Sequence, residues 1–443
     1  MSAPESVNSA SLSGPSAAAK LARAISRKLA VLSHDQRNAA LELAADRLDE
    51  NDSHIVAANS EDVHAAEPLV RAGKMSPALL SRLRVSEKTV ADMAEKVRSV
   101  VRLPDPLGRK LSAMELDEGL VLTKESCPLG VVAVVFESRP DVVPQVASLA
   151  LKSGNAILLK GGREAARTNE VLVGLWNQAL HDTGIPAGAA QMLQSRADVM
   201  ELLHLERDVD LLIPRGSKDF VESISRQSRI PVLGHGEGLC HIYVHASAQS
   251  QKAERIILDA KTAYPAACNS VETLLVDAAI APAFLPQMIA RLRSANVEIR
   301  ACQRTHALIP SPDIVPASEK DWSTEYCDLI LSVKIVDNLD AAIAHINQYG
   351  SSHTEAIVTE DSAAAERFLS EVDAAGVFHN ASTRFADGYR YGLGAEVGIS
   401  NGKLHARGPM GLEGLTTYKY KLRGSGQSAA DYHSTHPFRH RPL

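Results

Sequence analysis

The chain has no excess of basic residues, no long hydrophobic run and no paired cysteines, and each absence removes a class of protein. Its 47 Lys and Arg stand against 53 Asp and Glu, a formal net charge of −6, whereas a nucleic-acid binder carries a strong basic excess. No stretch approaches the roughly 18 consecutive apolar residues that a membrane-spanning helix needs. The five cysteines, Cys127, Cys240, Cys268, Cys302 and Cys327, are odd in number and form no CxxC pair. That excludes a disulfide framework or a zinc cage and fits a reducing compartment. The opening MSAPESVNSASLSGPSAAAK carries no positive charge before Lys20, so it lacks both the basic start of a secretory signal and the arginines of a mitochondrial presequence. Residues 1–16 read as a flexible leader on a cytoplasmic protein. Histidines cluster only in YHSTHPFRH at 432–440. With no acidic or thiol partner at ligand spacing, that cluster predicts a solvated tail and no metal site.

A chain of 443 residues exceeds one hydrophobic core, so two or three domains are expected. Its 45% hydrophobic and 23% charged content are those of an ordinary globular protein. Residues 17–50 carry Leu21, Ile25, Leu29 and Leu32 on helical spacing, and helical sequence continues to about 100 before LPDPLG at 103–108 breaks it. MELDEGLVLTKES alternates around a turn and predicts a projecting hairpin. GVVAVVF is the continuous β-branched run of a buried parallel strand. From there helices are expected at 142–152, 164–181, 197–205 and 217–226, with strands at 155–160, 190–194, 208–214 and in IPVLG. A second alternating block has strands CHIYVH, ETLLV, LILSVKIV and AIVT, with helices at 248–263, 281–294, 339–348 and 361–371. The pattern predicts two α/β lobes with mostly parallel sheets, joined near 235–245.

Several stretches carry candidate chemistry. LLKGGREAART sets Lys160 at a strand end before two glycines and a helix start, the place where open parallel sheets bind phosphorylated ligands; a tight turn with an exposed lysine explains the spacing equally well. No GxGxxG occurs. LLIPRGSKDF repeats the strand–turn–helix geometry, with Ser217 suited to cap the helix. In VVFESRPDVVPQ, Glu137, Ser138 and Arg139 follow a core strand, so they need a partner or a ligand. The glycine-rich region ASTRFADGYRYGLGAEVGISNGKLHARGPMGLEGL, with Phe385, Tyr389, Tyr391 and several arginines, reads as a long functional loop for a small anionic ligand. In KTAYPAACNSVETLLV, Cys268 precedes a strand. The stretch alone does not separate a nucleophile from a small buried residue.

Two α/β lobes, a small hairpin and a lone cysteine before a strand resemble the aldehyde dehydrogenase superfamily. Within it, PLGVVAVVFESRPDV, LKSGNAILLKGGREA, LIPRGSKDFV, IPVLGHGEGLCHIYV, YPAACNSVETLLV and GPMGLEGLTTYKY resemble the γ-glutamyl phosphate reductases over about 17–425. That resemblance implies a cofactor-binding domain at 17–108 and 130–238 and a catalytic domain at 239–412. It also implies an oligomerisation hairpin with a C-terminal tail at 109–129 and 413–443. The implied activity is NADPH-dependent reduction of L-glutamyl 5-phosphate to L-glutamate 5-semialdehyde and phosphate, in L-proline biosynthesis. Cys268 would be the nucleophile, passing through a thioester, with Lys261 a candidate for the charge that activates it. Arg139 would serve the oxyanion or the leaving phosphate. Lys160, Gly162, Arg163, Gly216, Ser217 and Glu325 would bind the cofactor. Glutamate 5-kinase, which supplies the labile acyl phosphate, is a candidate partner. The assembly implied is a homodimer or a dimer of dimers.

Two departures from the oxidising members of the superfamily sharpen this reading. Their ELGG segment supplies a water-activating Glu, and here the matching segment is VLGHG. NAD-preferring relatives place an acid three residues past the strand-end lysine, and here that residue is Arg163, a cation suited to a 2′-phosphate and so to NADPH or NADP+. The rival readings are a phosphate-independent NAD(P) aldehyde dehydrogenase and a catalytically silent scaffold on the same fold.

Overall fold

The structure is a computed structural model that describes residues 14–443 apart from Ser217, His235 and Thr435. Most of the expected leader therefore lies outside the described residues, and the first helix already begins at Pro15. The described chain forms two compact units. One runs to Leu233 and takes in Leu393–Gly398 and Met410–Leu443; the other comprises Gly234–Gly392 and Ile399–Pro409. The division falls at 233/234, and 393–398 lies with the first unit.

The first unit opens with helices α1 (Pro15–Leu29), α2 (His34–Glu50), α3 (Asp52–Arg71), α4 (Pro77–Leu83) and α5 (Glu87–Val101). α2 starts at a reciprocal cap: Ser33 Oγ accepts from Gln36 N at 3.1 Å, while Ser33 N donates to Gln36 Oε1 at 2.9 Å. The hairpin follows as β1 (Lys110–Asp117) and β2 (Leu120–Pro128), its turn closed by Gly119 at φ 71°, a left-handed conformation that suits glycine. Next come β3 (Val131–Phe136), α6 (Val142–Lys152), β4 (Ala156–Lys160), α7 (Ala166–Asp182), β5 (Ala190–Met192), α8 (Arg196–Leu202), β6 (Leu211–Arg215) and α9 (Lys218–Gln227). Their parallel sheet has the order β5-β4-β3-β6. All six residues of β3 are buried, as a β-branched strand covered on both faces requires. The expected strand IPVLG is only an isolated Leu212↔Val232 bridge; Pro231 beside it has no N–H to donate to a ladder.

The second unit alternates β7 (Cys240–Val244), α10 (Ser250–Thr262), β8 (Val271–Asp277), α11 (Ala281–Ser294), β9 (Glu298–Ala301), α12 (Gln303–Leu308), β10 (Ile314–Pro316), β11 (Ile330–Val336), α13 (Leu339–Tyr349), β12 (Thr354–Val358), α14 (Ser362–Glu371) and β13 (Gly376–His379). The sheet order is β10-β9-β11-β8-β7-β12-β13, with neighbouring strands parallel throughout. Successive residues of one strand face opposite cores. Ile242 and Val244 pack with α10 and α11, whereas Tyr243 packs with α13 and α14. The sheet is thus the middle of three layers.

The chain then passes between the units through two short strands, β14 (Gly398–Ser400) and β15 (Gly408–Met410), and ends in β16 (Thr416–Arg423) and β17 (Arg441–Pro442). These last two complete the hairpin sheet in the order β16-β2-β1-β17. β16 pairs with β2 from Thr416↔Pro128 to Arg423↔Val121, and the described residues of the expected tail at 432–440 are almost all exposed.

One buried cation in the first unit gives the fold a testable pH response. Lys152 is 1% exposed, and its Nζ donates to Asn38 Oδ1 at 2.6 Å and Val101 O at 2.8 Å. Burial, helped by the Arg37 charge, lowers its pKa to about 8. The unfolded chain then binds the extra proton between pH 8 and about 10.5, so this residue makes stability rise with pH across that window. Urea unfolding at pH 7.5 and 9.5 should show wild type gaining on Lys152→Met at the higher pH. A difference that stays flat would refute the assignment.

Candidate active site

In the first unit the expected ligand residues leave the carboxyl ends of neighbouring strands. β3 pairs with β4 up to Val135↔Lys160 and with β6 up to Phe136↔Arg215. Arg139, Lys160, Gly162, Arg163 and Gly216 therefore come off the same end of one parallel sheet. Glu164, which sequence reasoning did not single out, fastens two of these exits together. Its Oε1 accepts from Ser138 N at 2.8 Å and from Ser138 Oγ at 2.7 Å, holding Ser138 at φ 39°. The glycines are there for close approach rather than for φ. A Cβ on Gly162 would lie 1.9 Å from Glu164 Oε1, and one on Gly216 would lie 2.7 Å from Glu137 Oε2. Beside them Asn169 is fully buried with both side-chain amide atoms unanswered, and Arg163 is exposed. A glycine-walled sheet end with Lys160 and Arg163 suits a phosphorylated nucleotide. Ser217 lies outside the described residues.

In the second unit the candidate chemistry sits at the opposite, amino ends of the strands. Cys268 lies in the loop between α10 and β8 and is half-buried. Its backbone is pinned from β7: a Cβ on Gly238 would fall 2.0 Å from Cys268 O and 2.6 Å from its Cα. The Cys240 thiol donates to Cys268 O at 3.4 Å, and burial keeps that thiol protonated by raising its pKa well above the ordinary value. The lead-in to β12 adds a further tie: Ser351 Oγ accepts from Leu239 N at 2.8 Å. Asn401 Nδ2 donates to Ser351 O at 2.9 Å and Glu237 O at 3.3 Å. None of these holding residues was visible in the sequence pattern, because each acts across strands.

Lys261 does not have the role suggested for it. It is fully buried, and its Nζ donates to Glu272 Oε2 at 2.7 Å and Val271 O at 3.0 Å, so its charge is answered by a carboxylate. Burial raises Glu272 to about 7 against the opposing pull of Lys261. Glu325 lies within electrostatic reach of Glu272 and bonds to the Cys327 side chain, so it joins the Lys261–Glu272 cluster in the unit that carries Cys268. None of the five cysteines forms a disulfide. Among the described residues no group of three or more His, Cys, Asp or Glu could hold a metal ion, and no helix is long and apolar enough to cross a membrane.

A half-buried cysteine held by its backbone ahead of one parallel sheet, and a glycine-walled strand end in another, fit the aldehyde dehydrogenase type of enzyme. The profile of the aldehyde dehydrogenase family matches residues 5–307, and the chain belongs to that family. The γ-glutamyl phosphate reductase of Synechococcus sp. (strain JA-3-3Ab) is 56% identical over 425 residues, covering 95% of this chain and 93% of that protein. The enzyme of the same name from Haloquadratum walsbyi is 52% identical over 409 residues, 91% and 89% of the two chains. The crystal structure of the Thermotoga maritima γ-glutamyl phosphate reductase superposes with a TM-score of 0.89 at 40% identity, covering 93% of this chain and 98% of that one. Within its family the chain groups with the γ-glutamyl phosphate reductases. An acetylating aldehyde dehydrogenase from Geobacillus thermoglucosidasius, 19% identical with a TM-score of 0.64 over 93% and 96% of the chains, shares the fold.

The contact at Gly238 predicts a sharp effect. Gly238→Ala forces the Cys268 backbone to move by an ångström or more, and displacement of that size costs about 100-fold in rate. Steady-state turnover should fall by that factor while far-UV circular dichroism stays that of wild type. Wild-type turnover would show that the loop yields freely.

Proposed function

We propose that this protein reduces L-glutamyl 5-phosphate to L-glutamate 5-semialdehyde and phosphate with NADPH, through a thioester on Cys268, as the reductive step of L-proline biosynthesis. The observation that carries this reading is the nucleophile's setting. Cys268 is backbone-pinned and half-exposed, in a chain 56% identical to a γ-glutamyl phosphate reductase over nearly its whole length.

The Cys268 thiolate attacks the acyl carbon, the carbon–oxygen bond to phosphate breaks, and the acyl group stays on sulfur. Arg139, at the exit of β3, would serve the oxyanion or the departing phosphate as a charge-assisted donor. Lys160, Gly162, Arg163, Gly216 and Ser217 would hold the dinucleotide phosphates, and Glu325 the nicotinamide ribose. When bound, the reduced cofactor supplies the hydride that releases the aldehyde and returns the thiolate. Arg163 supports NADPH over NADH, since a 2′-phosphate answers an exposed cation where an acid would answer the ribose hydroxyl. A cytoplasmic location keeps the thiols reduced. Glutamate 5-kinase is the partner that makes chemical sense, because the acyl phosphate it passes on is short-lived in water. The hairpin sheet, with Tyr418, Tyr420 and Leu422 exposed on β16, supports assembly as a homodimer or a dimer of dimers.

The test runs the reaction in reverse. Glutamate semialdehyde and NADP+ should give NADPH only when inorganic phosphate is present, and Cys268→Ala should lower the rate at least about 10³-fold. Turnover without phosphate would instead identify a hydrolytic aldehyde dehydrogenase. Cofactor choice has its own readout: Arg163→Ala should raise KM for NADP+ about 10-fold or more and leave KM for NAD+ unchanged, the loss of one charge-assisted contact. An equal change for both cofactors would remove Arg163 from the 2′-phosphate.

A further inference from the structure

The loop after β13 holds a cation beside the nucleophile that makes no ion pair with a described residue. Arg384 sits in a 3-10 turn, Thr383–Phe385, and is half-buried. Its guanidinium lies over the Tyr264 ring at 5.8 Å, and its Nε, shielded from solvent, finds no acceptor. The Cys268 sulfur is within electrostatic reach, as are Asp259 and Asp387, while burial and the Arg390 charge work against the cation. The loop is fixed rather than loose. Asn269, the residue after the nucleophile, donates from Nδ2 to Ala386 O at 2.9 Å, and Arg390 donates to Arg384 O.

Asn269 supplies a second unanswered group. It is 5% exposed, and because its Nδ2 is committed to a carbonyl, which only accepts, its Oδ1 is fixed as an acceptor. That Oδ1 has no donor. An unpaired buried polar group costs free energy until a ligand answers it. A cation without an ion pair, next to an acceptor without a donor among the described residues, is the complement of an amino-acid head, carboxylate plus ammonium.

We propose that Arg384 binds the α-carboxylate of the glutamyl substrate and so selects amino-acid aldehydes over simple ones. The proposal rests on the reductase reading above. The other anion of that substrate, the acyl phosphate, leaves once the thioester forms. The α-carboxylate stays until the aldehyde is released, so the group that holds the acyl chain through both half-reactions must grip the part that remains. Arg384 and Cys268 belong to the same compact unit, which lets that grip persist while the chain is covalently bound. The exposed aromatics Phe385 and Tyr389 flank the same turn.

The test compares wild type, Arg384→Gln and Arg384→Lys in the reverse reaction, using glutamate semialdehyde or butanal with NADP+ and phosphate. Wild-type turnover of the semialdehyde confirms the reading beneath the proposal; its absence would sink that reading and not this residue alone. Given wild-type turnover, Arg384→Gln should raise KM for the semialdehyde about 10- to 100-fold, the loss of a contact between charged groups. KM for phosphate and the rate with butanal should stay within about twofold, and Arg384→Lys should recover part of the loss. A raised KM for phosphate instead would assign Arg384 to the leaving group and overturn the proposal. Equal losses for both aldehydes, with slower alkylation of Cys268 by iodoacetamide at neutral pH, would make it a thiolate-stabilising residue and also overturn it. So would unchanged constants. Thermal unfolding midpoints matching wild type show that the variants are folded.

Discussion

The placement of Cys268 depends on one buried ion pair. Lys261, in the last turn of α10, reaches across to Glu272 in β8 at 2.7 Å and to the carbonyl of Val271 at 3.0 Å. Beside it, at the exit of the loop, Ser270 Oγ donates to Ala260 O at 3.0 Å, one residue back from Lys261 in α10. These contacts close the base of the loop that carries Cys268, so the loop leaves and re-enters the fold at fixed points. Both charges are almost fully buried, and removing either partner would leave the other uncompensated, a cost of about 3–5 kcal/mol. Glu272 also accepts from Cys327 N at 3.3 Å, which extends the same cluster to the approach of β11 and to Glu325. Burial pushes Glu272 toward neutrality and Lys261 holds it back.

The two units build their chemistry at opposite ends of their sheets, and the physical demands differ. Phosphate recognition needs free N–H groups and room for close backbone approach, which the turns after parallel strands supply. The first unit has these in Gly161–Gly162 and Gly216, each so tightly placed that a Cβ would collide with a neighbour. A nucleophile needs a fixed sulfur more than a field of donors. The second unit sets Cys268 ahead of a buried strand and locks its backbone with Gly238 and Cys240 from the adjacent one.

The sequence made the lobes legible because both sheets are parallel and buried, so their strands are continuous apolar runs alternating with helices of ordinary length. The runs VVAVVF and VETLLVD are buried along their whole length, and the helix at 281–294 coincides with α11. The reading lost β9, β10 and β13, strands of four, three and four residues, too short to carry a period. It counted IPVLG as a strand because hydropathy does not register the missing N–H of Pro231. In the site, the type and position of Cys268 could be read, but what holds it could not. Gly238 is required by a contact with a distant backbone, not by a turn, and the Lys261–Glu272 pair joins a helix to a strand across a loop. Arg384 lay inside a region marked for an anionic ligand, yet nothing in the spacing set it apart from its neighbouring arginines. Its distinction is three-dimensional: a shielded Nε without an acceptor among the described residues, within electrostatic reach of the Cys268 sulfur.

A thioester in water has two fates, and an enzyme that reduces must suppress hydrolysis. Oxidising relatives carry a glutamate that activates water, and VLGHG offers none in register. Two buried acids of the same unit are occupied elsewhere: Glu272 is committed to Lys261 and the Cys327 amide, and Glu355 is buried against His241 at 2.9 Å. With no carboxylate at the register position, water at Cys268 would have to attack unaided. On the proposed reading, specificity for reduction is therefore partly a matter of omission. The remainder comes from a grip that keeps the acyl chain in place after its phosphate has gone, so that its carbonyl carbon remains where a hydride can reach it.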